Sequence, residues 1–188
     1  MNFNTKKMNE TKTLSKIIAS TYNTFQIEKI ETIGYDDSIK LFEISKQLVK
    51  TFGKNSLLND NNINKYFNDE TLPFIARHNK SIIGYIIGVP LEYFSDEAWS
   101  HFDQNLNENN TLYTYAFVID REYQTKRGRY AKTLKSIYLS WAKKRGYKYT
   151  SGHVRSDIAK NFPNTEILKT FPIWYESKFP FSYYRRKL

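Results

Sequence analysis

The sequence predicts an α/β protein of the α+β kind, with strands and helices alternating in a single domain within 188 residues. Three observations support this. The run Leu112–Ile119 is rich in aromatic and β-branched residues, as a buried strand is; a basic loop joins it to a helix and then to a second strand over Tyr147–Val154. Pro73–His78 and Ile82–Val89 flank Asn79-Lys80 as the two arms of a hairpin. Leu41, Ile44, Leu48 and Phe52 recur at helical spacing and end at Gly53.

The elements follow in order. Met1–Thr24 is polar and lysine-rich, with a helix expected over Leu14–Ala19, so residues 1–23 read as a polar tail or appended helix and 24–188 as the folded domain. The first segment has no long apolar core, so a secretory signal is not expected, and no stretch reaches the length of a membrane span. A cytoplasmic location is the default expectation. Phe25–Ile33 alternates apolar and polar residues as a half-buried strand does. Asp36 and Asp37 suit the start of the helix that Gly53 closes, and Asn59–Phe67 suggests a second, shorter helix. Residues 91–110 exceed a simple strand connection. Leu91, Phe94, Trp99 and Phe102 fit one face of a short helix there, with Asn105–Asn110 as a polar loop; such insertions often shape substrate sites. Ser156–Asn161 predicts a short fourth helix. Glu166–Pro172 and Phe179–Arg186 predict a closing strand pair around Glu176-Ser177-Lys178.

The helix after the basic loop is the clearest element. Tyr130, Ala131, Leu134, Ile137, Tyr138, Trp141 and Ala142 form one buried face. Lys143, Lys144 and Arg145 complement the dipole of its last turn, and Gly146 stands just past its end. At the other end, Lys126, Arg127 and Arg129 surround Gly128. A helix start leaves backbone N–H groups unpaired and favours negative charge, so this loop reads as an anion site, with pyrophosphate as the natural guest; the alternative is a solvated basic turn before the helix. The nucleotide P-loop and the dinucleotide fingerprint both require glycines that are absent here.

Lys126-Arg127-Gly128-Arg129-Tyr130-Ala131 resembles the acyl-CoA loop of the GNAT acetyltransferase superfamily, Gln/Arg-x-x-Gly-x-Gly/Ala between the fourth strand and third helix. Ala131 matches the last position, and Lys132-Thr133-Leu134-Lys135 and the Trp141–Tyr147 ending also look like the family. Lys126 occupies the first position while Gln124 lies two residues earlier. Arg129 stands where glycine is usual, with Gly128 displaced by one. The order strand–helix–helix–three strands–helix–strand–helix–two strands is similar to that of the family over about residues 24–188. The resemblance implies a mixed, mainly antiparallel central sheet flanked by helices. It implies acetyl-CoA as co-substrate, bound between the fourth and fifth strands, and direct transfer of its acetyl group to a primary amine of a small molecule or peptide. It assigns Phe117, Val118 and Ile119 to the pantetheine chain and the oxyanion, Lys126 through Ala131 to the pyrophosphate, and Asn161 to the pantetheine. The tyrosine acid of many members has no counterpart in Ser156–Pro163. Tyr175, Glu122 and His153 are the candidates for proton transfer, with Tyr113 and Tyr115 beside them. Members of this fold also often pair as homodimers. A GNAT-like acyl-CoA-binding protein that transfers a longer acyl group, or none, is the alternative.

Composition narrows the chemistry. The chain has no cysteine, which removes disulfides and a cysteine nucleophile. A direct transfer to an amine needs neither. Its three histidines, His78, His101 and His153, have no ligand spacing, so no metal is expected. The net charge is +10, which suits anionic partners such as CoA phosphates. A nucleic-acid-binding domain is the third reading. The 16% aromatic content could supply stacking platforms, yet the aromatics follow the buried periodicity and no RNP, KH or zinc motif is present.

Overall fold

The apolar runs read from the sequence pair into one sheet. The computed structural model describes residues 12–22, 24–124 and 129–188. Among them are strands β1 (Leu14–Thr21), β2 (Phe25–Thr32), β3 (Leu72–His78), β4 (Ser81–Pro90), β5 (Thr111–Ile119), β6 (Tyr149–Arg155), β7 (Thr165–Phe171) and β8 (Phe181–Lys187). The helices are α1 (Tyr35–Phe52), α2 (Ile63–Tyr66), α3 (Tyr130–Lys144) and α4 (Ser156–Ala159). The strand order is β1-β2-β3-β4-β5-β6-β8-β7. Every neighbouring pair is antiparallel except β5 and β6. This is the mixed, mainly antiparallel sheet that was expected.

Helices α1 and α3 cover opposite faces. Leu41 and Ile44 of α1 pack with Ile30, Ile75, Tyr85 and Ile87 on one face. Leu134, Tyr138 and Ala142 of α3 pack with Ile27, Phe74 and Ile86 on the other. Side chains of successive strand residues point to opposite faces, so Ile86 and Ile87 serve different helices. The β3–β4 hairpin turns at Asn79-Lys80, both with positive φ (48° and 68°), as a two-residue turn of primed type requires. Gly146 closes α3 at φ +90°, as its position in the sequence predicts.

Several elements differ from expectation. Leu14–Thr21 is a strand, not a helix. It pairs antiparallel with β2, and Ser15 Oγ donates to Glu28 Oε2 at 2.8 Å. The ladder that β2 offers outweighs the weak helical pattern of a short, half-polar segment. The helix expected over Asn59–Phe67 shrinks to α2. Upstream of it, Asn62 Oδ1 accepts from the Asn59 N–H, Asn59 Oδ1 accepts from the Asn61 N–H, and Asn62 Nδ2 donates to the Leu57 carbonyl. These side chains compete with the helical ladder for the backbone. The 91–110 excursion holds two 3₁₀ turns, Leu91–Phe94 and Ser100–Phe102, in place of one helix. Leu91 and Trp99 are buried there while Phe102 is exposed. The excursion is tied down by Asp103, which accepts from Arg185 Nη1 of β8 at 2.6 Å and from the Tyr183 hydroxyl at 3.3 Å.

Candidate active site

The site begins where two parallel strands part. β5 pairs with β4 from Leu112 to Ile119. It pairs with β6 only over Thr111–Tyr113, opposite Tyr149–Ser151. Beyond that point β6 continues along β8 to Arg155. Among the described residues, the β6-facing backbone edge of β5 therefore has no strand partner from Thr114 onward, and its N–H and C=O groups can meet a ligand. The β4 register places Ile87 opposite Ala116 and Gly88 opposite Thr114, which leaves Tyr115 as an extra residue, a β-bulge. The bulge changes the alternation. Tyr115 and Ala116 both turn to the α1 side, while Phe117 turns to the α3 side.

A cavity of about 610 Å³ opens at this split. That lies within the ~300–1,000 Å³ range of small-molecule sites. Phe117, Lys135 of α3 and Phe162 after α4 line it on the α3 side. On the other side it is walled by Tyr66, Phe94, Trp99, Tyr115, Trp174 and Tyr175. Near the fork, the Thr114 hydroxyl lies 3.0 Å from the Tyr138 hydroxyl and 3.2 Å from that of Thr150. Burial, and secondarily the Arg186 cation, lower the pKa of Lys135 below the ordinary lysine value. Its ammonium sits 4.9 Å from the Phe162 ring centroid.

His153 lines the same cavity from β6. Its Nδ1 lies 2.9 Å from the Tyr113 hydroxyl. Its ring stacks between Trp174 (3.7 Å between centroids) and Tyr183 (4.8 Å), and its Nε2 has no partner among the described residues. Burial depresses its pKa to about 3, so the ring is neutral near pH 7. Tyr175 also lines the cavity, at a left-handed φ of 48°. Burial, then the Glu97 carboxylate, raise its phenol pKa, so it carries its proton at neutral pH. The buried phenols of Tyr113 and Tyr115 are also raised, chiefly by desolvation.

The remaining candidates differ in where they stand relative to this cavity. Phe117 lines it, whereas the Val118 and Ile119 side chains are buried in opposite clusters and offer only backbone. Glu122 is exposed on the Arg121–Tyr123 turn and does not line the cavity. Gln124 turns its side chain back, and Nε2 donates to the Ile119 carbonyl at 2.6 Å. Lys126, Arg127 and Gly128 lie outside the described residues. Arg129 is the N-cap of α3, which no described side chain caps, and its carbonyl accepts from the Thr133 N–H and hydroxyl. Tyr130 packs its ring against Phe25, His78 and Tyr123, while Ala131 is exposed. Asn161 is exposed in the turn after α4; its neighbour Phe162 reaches the cavity. Sequence reasoning passed over Lys135, Tyr66 and Trp174. Lys135 was accessible to it, because the position flanks the Leu134–Tyr138 face of a firmly predicted helix.

The split sheet invites comparison with known proteins. A scan against protein-family models finds no match, and neither does a search by sequence among curated proteins. Solved structures do match. The ribosomal-protein-S18-alanine N-acetyltransferase from Escherichia coli superposes with a TM-score of 0.61 at 13% identity, covering 87% of this chain and 93% of that one. A GCN5-related N-acetyltransferase from Kribbella flavida gives 0.64 at 11% identity, over 89% of this chain and 100% of the other. The yncA protein from Salmonella typhimurium, solved with its cofactor acetyl-CoA, gives 0.63 at 11% identity, over 88% and 95%. Among the described residues, no helix is long and apolar enough to cross a membrane. At these identities the likeness concerns architecture, and the chain has the fold of the GNAT N-acetyltransferases.

Proposed function

We propose that this chain is an N-acetyltransferase that moves an acetyl group from acetyl-CoA to a primary amine of a small molecule or peptide. The observation that carries the reading is the parting of β5 and β6 after Tyr113, which leaves a strand edge unpaired among the described residues and facing a cavity of about 610 Å³. An extended pantetheine arm, with its own amides, suits that edge in the way a missing strand would. The neighbour solved with acetyl-CoA shares this architecture.

The residues divide the work as follows. Backbone groups of Thr114 through Ile119 hold the arm, and an N–H at the bulge stabilises the oxyanion that develops on the carbonyl. The α3 N-terminus, with Lys126–Ala131, holds the pyrophosphate. Acetyl-CoA supplies a thioester, whose thiolate leaves readily because a free thiol has a pKa of about 8.5. Lys135 places a cation on the α3 side of the cavity, where it offsets charge on the departing sulfur. The incoming amine has a pKa near 10 and must lose a proton. Neutral His153 is too weakly basic to take it at pH 7, so His153 with Tyr113 orients the site. The proton leaves through water at the Asp96–Glu97 rim. Tyr175, protonated and beside Glu97, accepts a hydrogen bond from the incoming amine through its phenol oxygen. Glu122 takes no direct part in this scheme.

An acyl-CoA binder of longer or no transfer activity is the second reading. It is favoured by Arg129 at a glycine position and by the lack of a tyrosine in the α4 segment. Two measurements separate the readings. Saturating acetyl-CoA is expected to raise the melting temperature by mass action, and an amine panel is expected to release free thiol. A raised melting temperature with no thiol release selects the second reading; an unmoved transition overturns both.

A further inference from the structure

Resting on the acetyltransferase reading, the α1 side of the cavity narrows the acceptor. Its wall is made of rings from separate parts of the chain: Tyr66 of α2, Phe94 and Trp99 of the excursion, Tyr115 at the bulge, and Trp174 and Tyr175 before β8. Tyr66 and Tyr115 stack at 4.0 Å, and Trp99 meets Trp174 edge to face at 6.3 Å. The charged residues lining the cavity, among those described, are Lys65, Lys135, Asp96 and Glu97. Lys135 is on the α3 side. Lys65 holds its ammonium 5.6 Å from the Tyr66 ring centroid. Asp96 and Glu97, adjacent in sequence, stand on one exposed stretch of the excursion.

This wall discriminates by chemistry. Ring faces attract a flat apolar body and, through their quadrupoles, one ammonium group. A polycation brings further charges that require partners, and a cation taken from water without one is strongly disfavoured. An extended peptide brings a backbone N–H and C=O at every residue, each needing a partner that a wall of rings supplies poorly. His153, whose Nε2 is buried without a partner among the described residues, lines the same cavity and adds a single hydrogen-bonding point.

We propose that the acceptor is a monocationic primary amine on a flat aromatic body, an arylalkylamine in chemical class, with its ring among Phe94, Tyr115 and Trp174 and its ammonium entering past Glu97. The ammonium first gives one proton to solvent, which frees the nitrogen's lone pair; the amine nitrogen then forms the C–N bond as the C–S bond breaks. A second proton leaves the nitrogen and the sulfur takes one up, so CoA, the N-acetylamine and one proton released to solvent are the products.

The test uses the full chain, with 2-phenylethylamine, butylamine, spermidine and a peptide bearing a free N-terminus as probes. Thiol release gives kcat/KM for each. Binding is followed separately by tryptophan emission, since two of the three tryptophans, Trp99 and Trp174, line the cavity. The proposal expects 2-phenylethylamine to exceed butylamine by about tenfold or more. It also expects Glu97→Gln to raise KM for 2-phenylethylamine several-fold with a smaller change in kcat. Equal or better use of spermidine or the peptide overturns the proposal and leaves the acetyltransferase reading standing. So does binding of acetyl-CoA without any response to 2-phenylethylamine in emission or turnover. If acetyl-CoA itself fails to bind, both fall together.

Discussion

Replacing His153 by Phe tests the reasoning about the site's interior with a number attached. The ring is stacked between Trp174 and Tyr183, and burial holds its pKa at about 3, against an ordinary value of 6.5. The folded state therefore keeps the ring neutral where the unfolded chain protonates it. Between those two values the unfolded state binds more protons, so stability rises with pH. Above the unfolded pKa nothing is lost. As pH falls below about 6.5 the unfolded state gains, and the deficit levels off only once pH passes the folded value near 3. At 1.36 kcal/mol per unit, acidification from pH 7.5 to 5.0 removes about 2 kcal/mol through this one group. His153→Phe leaves the Tyr113 hydroxyl without its partner, which costs about 1–3 kcal/mol, but at every pH alike. Urea unfolding of both proteins at both pH values isolates the effect: the wild-type midpoint should fall by about 1 M more than that of the variant. Proton NMR gives an independent reading, because the chain has only three histidines. A His153 signal titrating near 6.5, or equal acid losses in the two proteins, would refute the burial argument and reopen His153 as a base at neutral pH.

Three further outcomes follow from the geometry. Asp103→Ala strands Arg185 in a buried position with, among the described residues, only the exposed Glu166 carboxylate beside it; a loss of about 3 kcal/mol is expected by denaturant unfolding, together with weaker amine use as the excursion loosens. Gly84→Ala places a Cβ 2.5 Å from the Val118 carbonyl oxygen, so β5 must shift. A lower melting temperature, worth about 1–3 kcal/mol, and a raised KM for acetyl-CoA are expected. Lys135→Met keeps the length of the side chain and removes its cation; kcat for thiol release should fall by roughly tenfold or more while stability holds or improves, because a partly desolvated charge is gone.

The sequence yields those parts of the molecule that depend on local pattern. Helix α3 was readable because its apolar residues repeat with helical period and Gly146 marks its end. The β3–β4 hairpin was readable because Asn79-Lys80 interrupts two apolar runs. Strand β1 was misread because its structure depends on β2 pairing rather than on its own pattern. The bulge at Tyr115 was invisible for a similar reason: it is defined only by the register against β4, some thirty residues earlier in the chain. Strand β5 could be singled out from the resemblance, but the wall of rings around the cavity could not. Tyr66, Phe94, Tyr115 and Trp174 come together only when the excursion is pinned by Asp103 and Arg185 and the turn before β8 folds over His153. With 15 tyrosines in the chain, composition could not say which of them face a ligand.

The central claim is that an acyl thioester lies in the opening between β5 and β6. A solved complex with acetyl-CoA tests it most directly. The account predicts the pantetheine running along the free edge of β5 from Thr114 to Phe117, with the acetyl group at the Tyr115 bulge. A thioester bound elsewhere on the protein, with that edge still unpaired, would contradict it.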